Sequence, residues 1–147
     1  MTLIAQQKPD FSGDWQLNLQ ASKLSPAVAL AAQRGSMRIE HREPSFKCQS
    51  TMVMDGKPVE TKYELPSDGL ERAGTEAWGR MVSSLRWDGD ALVATWRIEA
   101  SNGETTISFR YELQDGGRRL RAAEQLRAPD REQDNVWVFD RASPSDT

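Results

Sequence analysis

Ala91-Leu92-Val93-Ala94-Thr95-Trp96-Arg97-Ile98-Glu99-Ala100-Ser101-Asn102-Gly103-Glu104-Thr105-Thr106-Ile107-Ser108-Phe109-Arg110-Tyr111-Glu112-Leu113 holds two runs of alternating side chains on either side of an Asn-Gly pair. In the first run Leu92, Ala94, Trp96 and Ile98 oppose Thr95, Arg97 and Glu99; in the second Ile107, Phe109, Tyr111 and Leu113 oppose Ser108, Arg110 and Glu112. A period of two is the signature of a strand with one dry and one wet face, and Asn-Gly supplies the positive φ that a tight hairpin turn needs. The stretch is therefore a β-hairpin with a buried aromatic face.

Similar runs extend in both directions, punctuated by Asp55-Gly56, Asp68-Gly69, Asp88-Gly89 and Asp115-Gly116-Gly117. They predict strands over Gly13 to Leu19, Ser36 to Arg42, Ser45 to Met54, Val59 to Leu65, Gly79 to Trp87, Ala91 to Ala100, Glu104 to Leu113, Arg118 to Arg127 and Asn135 to Arg141. One short helix is expected after the first strand, over Ser25 to Gln33, with Ser25 as N-cap, Pro26 in the first turn, four alanines following and a stop at Gly35. Consecutive amphipathic strands joined by short turns fit an all-β, up-and-down antiparallel barrel of 8–10 strands, because closure removes the unpaired edges of an open sheet. A two-sheet sandwich is the rival, and the lack of long crossovers speaks against it.

With 147 residues the chain fits one domain, expected over 11–142, with a flexible segment at 1–10 and a disordered tail at 143–147. The net charge of -3 removes the electrostatic case for nucleic acid, and the local cluster Arg118, Arg119, Arg121 is offset by Glu112, Asp115 and Glu124. No segment is apolar for long enough to span a bilayer as a helix. A single cysteine, Cys48, forbids an internal disulfide, and a single histidine leaves no basis for a metal site. No phosphate loop, dinucleotide fingerprint or nucleophile elbow is present, so no cofactor is expected. Met1 to Gln7 lacks a basic start and a full apolar run, which reads as cytoplasmic for the chain as it stands, and as periplasmic or secreted if an upstream signal precedes Ala5. Monomer and homodimer both remain open.

Phe11-Ser12-Gly13-Asp14-Trp15 opens the first strand and Trp137-Val138-Phe139-Asp140-Arg141 closes the last. This resembles the opening signature of lipocalins and fatty-acid-binding proteins, in which a tryptophan at the barrel floor packs against a basic residue of the last strand. The resemblance implies that Trp15 and Arg141 form a structural floor pair, an indole plug under a guanidinium lid. Over Asp10 to Asn18, Ile39-Glu40-His41, Trp87 to Val93 and Val138 to Arg141, the chain is similar to a group of bacterial lipocalin-like, calycin-type domains, many of them secreted. It departs from that group in the alanine-rich insert Ala27 to Ala32 and in the incomplete signal.

Polar residues whose parity turns them inward are the candidates for chemistry, since a buried polar group needs a partner. His41 and Glu124 are the titratable ones; brought together they would form an acid/base pair for isomerase, cyclase or hydrolase-like chemistry, or an anchor for a polar head group. The bland alternatives are a half-exposed His41 at a strand end and a Glu124 paired with arginine at the rim. Met52, Met54, Tyr63, Trp87, Trp96, Phe109, Tyr111 and Trp137 are the expected wall of a pocket for a small apolar or amphipathic molecule, with Ala94, Ala122 and Ser83 leaving space between them. A filled core is the alternative to that pocket. Cys48, on the same face, reads as a buried inert thiol.

Overall fold

The computed structural model describes residues 8–77 and 79–142; the expected tail at 143–147 and most of the expected flexible start lie outside them. Among the described residues ten strands follow one another as β1 (Gly13–Leu17), β2 (Ala32–Arg42), β3 (Ser45–Met54), β4 (Lys57–Pro66), β5 (Arg72–Glu76), β6 (Gly79–Asp88), β7 (Ala91–Ala100), β8 (Gly103–Gln114), β9 (Arg119–Ala128) and β10 (Arg131–Arg141). One short helix, α1 (Pro26–Ala31), separates β1 from β2. All pairings are antiparallel, in the order β4-β3-β2-β1-β10-β9-β8-β7-β6-β5. Every neighbour in that order is consecutive in sequence except β1 and β10, which join the two ends of the chain. The sheet thus wraps on itself with one seam, between β4 and β5, where β4 lies against β6 without a hydrogen-bonded ladder.

The local chemistry behaves as the turn residues dictate. Asp55 and Gly56 both take positive φ, 51° and 77°, which closes the β3–β4 hairpin in the sense that matches strand twist. Two elements differ from expectation. β5 was not foreseen, because Arg72-Ala73-Gly74-Thr75-Glu76 is exposed at every position and so carries no apolar alternation. The helix ends earlier than Gln33: Ala32 is extended and Ala32 to Arg42 pair with β3, a gain of ladder bonds that a six-residue helix with no buried residue cannot match. Ser25 sits at the N-cap position but makes no capping bond; its Oγ is buried without a partner.

Closure rests on three register pairs between β1 and β10, one of which sets Trp15 opposite Arg141, and on a further bridge between Lys23 and Val136. The Trp15 ring is buried, its Nε1 donates to Phe11 O at 3.1 Å, and the Arg141 guanidinium lies 4.2 Å from its centroid. That guanidinium also donates to Ser12 O at 2.8 Å and to Gly117 O at 3.0 and 3.1 Å, tying the start of β1 to the β8–β9 turn. Gly13 adopts φ +141°, and a Cβ there would collide with the Arg141 guanidinium. A glycine two residues before the tryptophan therefore leaves room for the lid.

Trp15→Ala removes the plug and leaves a void, so urea denaturation should show about 3–5 kcal/mol of lost stability, with Trp15→Phe losing less than half as much. Equal losses for the two variants would show that ring packing at the floor carries little weight.

Candidate functional site

The interior has two unlike halves. One end is sealed by an aromatic cluster in which Phe11 meets Phe46 edge-on at 6.3 Å and Trp87 at 6.1 Å, with the His41 ring 5.5 Å from Phe46 and 5.8 Å from Trp87. His41 is buried there: its Nδ1 accepts from the Phe11 backbone N–H at 3.2 Å, and its Nε2 lies 2.8 Å from Glu43 Oε2. The Glu43 carboxylate also accepts from Ser67 Oγ at 2.7 Å and from Trp87 Nε1 at 2.6 Å. Burial works against the ionised carboxylate, but these bonds from His41, Ser67 and Trp87 outweigh it and hold Glu43 below the ordinary glutamate range.

Toward the other end the strands are more exposed. In β7 the residues Ala91–Ala94 are buried and all those after them are partly exposed, and β4 is exposed from Lys57 to Lys62. Between the walls lies a cavity of about 370 Å³, room for roughly 12 waters at ~30 Å³ each. Tyr63 and Trp96 meet edge to face at 4.8 Å on one side, and Phe109 and Tyr111 stack at 6.0 Å on another. Met37, Met52, Met81, Ile98, Ile107 and Phe139 complete the apolar lining, and Ala122 keeps the space open.

The polar groups of the lining are few. Tyr63 Oη and Tyr111 Oη share a hydrogen bond of 2.7 Å beside the Cys48 thiol. Burial pushes the Cys48 thiol up to about 11, only partly offset by the two phenols, and pushes both tyrosines well above their ordinary range. All three are therefore neutral at physiological pH. Glu124 is fixed differently: its Oε1 accepts from Trp137 Nε1 at 2.9 Å and from Asn135 Nδ2 at 3.1 Å. Asn135 is itself buried, and its Oδ1 accepts from the Ser25 backbone N–H at 2.8 Å, which links the base of α1 to the cavity wall.

No protein-family model matches the chain, and no curated protein matches it in sequence. Solved structures match it in shape. A secretory abundant heat-soluble (SAHS) protein from Ramazzottius varieornatus superposes with a TM-score of 0.62 at 11% identity, over 89% of this chain and 94% of its own. Human cRBP IV gives 0.61 at 19% identity, over 91% of this chain and 99% of its own. The chain shares with these structures the up-and-down, ten-stranded β-clam fold. A third clam, the zebrafish ileal bile acid-binding protein solved in complex with cholic acid, gives 0.55 at 13% identity, over 90% of this chain and 98% of its own.

Within the clam, the residues singled out from sequence fall into three places. Met52, Tyr63, Trp96, Phe109, Tyr111, Trp137 and Glu124 all line the cavity. Trp87 and Met54 do not: Trp87 lies in the sealed end with Lys8 Nζ 5.2 Å from its ring centroid, and Met54 lies beside the β3–β4 turn, opposite Lys57. Their parity is inward, but parity says nothing about depth along the barrel axis. His41 and Glu124 do not meet, since His41 is held among Phe11, Glu43 and the sealed-end rings and Glu124 by Asn135 and Trp137. Neither bland alternative fits either: His41 is 6% exposed, and Glu124 bonds an amide and an indole. Arg119 and Arg121 find Asp140 at 3.0 Å and Glu112 at 3.3 Å on the outside, so Glu124 has no part in offsetting the arginine cluster.

Sequence reading missed Asn135 and Glu43. Asn135 shares the inward parity of Trp137 and Phe139, and that was its signal; Glu43 sits in the β2–β3 turn, where alternation carries no information.

Two consequences are measurable. Because the Glu43 carboxylate is lowered in the fold, its contribution is present above the ordinary value of 4.5 and is lost as pH falls through the lowered one. Glu43→Gln should therefore lose less stability than the parent protein between about pH 5 and 3 in urea titrations, and identical acid limbs would remove Glu43 from that role. A thiol raised from 9.0 to about 11 holds about 100-fold less thiolate at pH 8. Iodoacetamide should alkylate native Cys48 slower than the urea-unfolded chain by at least that factor, whereas rates within about threefold of each other would contradict a buried neutral thiol.

Proposed function

We propose that this protein binds a small apolar or amphipathic molecule in the cavity between the Tyr63–Trp96 and Phe109–Tyr111 walls. The observation that carries the reading is the contrast along one barrel axis: large side chains close-pack the sealed end, while equally large aromatics farther along leave about 370 Å³ unfilled. Such a volume is at the low end of small-ligand sites, ~300–1,000 Å³, and a mostly apolar lining with a few convergent polar groups is their usual composition. Support also comes from the fold, since the zebrafish clam was solved with cholic acid. The lining methionines adapt to irregular ligand shapes, and the rigid aromatic pairs supply contact area at small entropic cost.

Apolar surface removed from water drives binding, and the hydroxyls of Tyr63 and Tyr111 and the carboxylate of Glu124 orient the polar end of the ligand. Acid/base catalysis by a His41–Glu124 pair gains no support, because each is committed to separate partners.

Nile red is a neutral apolar dye whose emission rises in dry surroundings. Titrated into the protein, it should give a saturable one-to-one enhancement. Ser50→Phe places a ring in the cavity from a half-buried lining position and should weaken that binding at least ~10-fold, about 1.4 kcal/mol, with the far-ultraviolet circular dichroism unchanged. Non-saturable dye uptake, or equal affinity in the variant, would show that the dye sits elsewhere.

A further inference from the structure

The cavity has a sign. Of the described residues that line it, only Glu124 carries a formal charge, and none of them is a lysine, arginine or histidine. The arginines of β7, β8 and β9 stand on the opposite parity, where Arg97, Arg110 and Arg121 pair with Glu71, Asp88 and Glu112 across the outer surface. The one histidine is locked in the sealed end by Phe11 and Glu43. An anionic head group entering the cavity would meet a like charge and no cation to offset it.

Glu124 is also held in a particular way. Both of its bonds land on Oε1, from Trp137 and Asn135, and Asn135 is buttressed by the Ser25 backbone. Oε2 receives no donor among the described residues, and it is not among the buried atoms left without a partner, so it is open to an incoming group. A carboxylate fixed through one oxygen and free at the other is preorganised to accept a hydrogen bond from a ligand. The Tyr63 and Tyr111 hydroxyls, bonded to each other across the same space, stay neutral and offer dipoles but no compensating positive charge.

From this we infer that the ligand is an apolar molecule bearing a protonated amine, held by a charge-assisted hydrogen bond to Glu124 Oε2, and that amphiphiles ending in a carboxylate are disfavoured. The inference rests on the cavity-binding reading above, and goes beyond it by fixing the charge of the head group. Chain and ring geometry of the apolar part are set by the Tyr63–Trp96 and Phe109–Tyr111 walls, independently of the head group.

Three ligands with the same ten-carbon chain separate these claims: decylamine, decanol and decanoate, each competing with Nile red at pH 7. The expected order of affinity is amine, alcohol, carboxylate, with the amine favoured over the carboxylate by at least ~10-fold. Glu124→Gln keeps an acceptor for Trp137 but removes the charge, and should narrow the amine-to-carboxylate ratio by at least ~5-fold. The ratio is internal to each protein, so a general change in affinity does not imitate the effect. The ordering in the unaltered protein also stands by itself if the variant does not fold. Decanoate binding as tightly as decylamine, or a ratio untouched by Glu124→Gln, would overturn the inference. Failure of all three, decanol included, to displace the dye would instead strike at the cavity-binding reading.

Discussion

Three backbone pairs between β1 and β10 turn a ten-stranded ribbon into a container. Every other ladder joins strands adjacent in sequence and would form in an open meander as readily as in a closed one. The β1–β10 contact, continued by the Lys23–Val136 bridge, brings the inward faces of β2 and β9 to opposite sides of a common interior. Its short length explains why so much is concentrated on it: the Trp15 indole fills the floor, Arg141 covers the ring and bonds two further segments, and Gly13 stands aside for the guanidinium. The Asp14 carbonyl receives the Ala142 N–H at 2.8 Å, extending the contact past the end of the last strand. Forming the closure costs a long loop's entropy that no local contact offsets, which is why a large aromatic with a charged lid belongs there.

Once closed, the barrel is filled unevenly. At the sealed end Phe11, Phe46, Leu85, Leu92 and Leu120 are fully out of water, and His41 and Glu43 are satisfied by Phe11, Ser67 and Trp87. Farther along, the small side chain of Ala122 faces rings that meet edge-on, and methionines replace the leucines of the floor. Gly35 belongs to the same economy of space, since a Cβ there would strike Met52 Sδ. The close-packed end holds the shape of the barrel, while the partly exposed end leaves the cavity unfilled.

Alternation made the fold and most of the cavity wall legible in sequence. Strand parity in Leu92 to Ile98 and Ile107 to Leu113, with turns such as Asp55-Gly56, fixes which side chains face inward. Trp87 and Met54 show the limit of that rule, because facing inward and lining the cavity are different properties when a barrel is packed at one end. The pairing of titratable groups was not legible at all. His41 and Glu124 share an inward parity yet answer to different partners, His41 to a residue in a turn and Glu124 to Asn135 and Trp137 on the neighbouring strand. β5 escaped for the opposite reason: an edge strand that buries nothing has no pattern to leave.

The described tryptophans divide between the two halves, Trp15 and Trp87 in the sealed end and Trp96 and Trp137 on the cavity wall. Indole N–H resonances therefore report directly on where a guest resides. In nitrogen-15 correlation spectra recorded during titration with Nile red, the Trp96 and Trp137 signals should move and saturate together while those of Trp15 and Trp87 hold their positions. Movement confined to Trp15 or Trp87, or no movement at saturating dye, would contradict binding within the barrel.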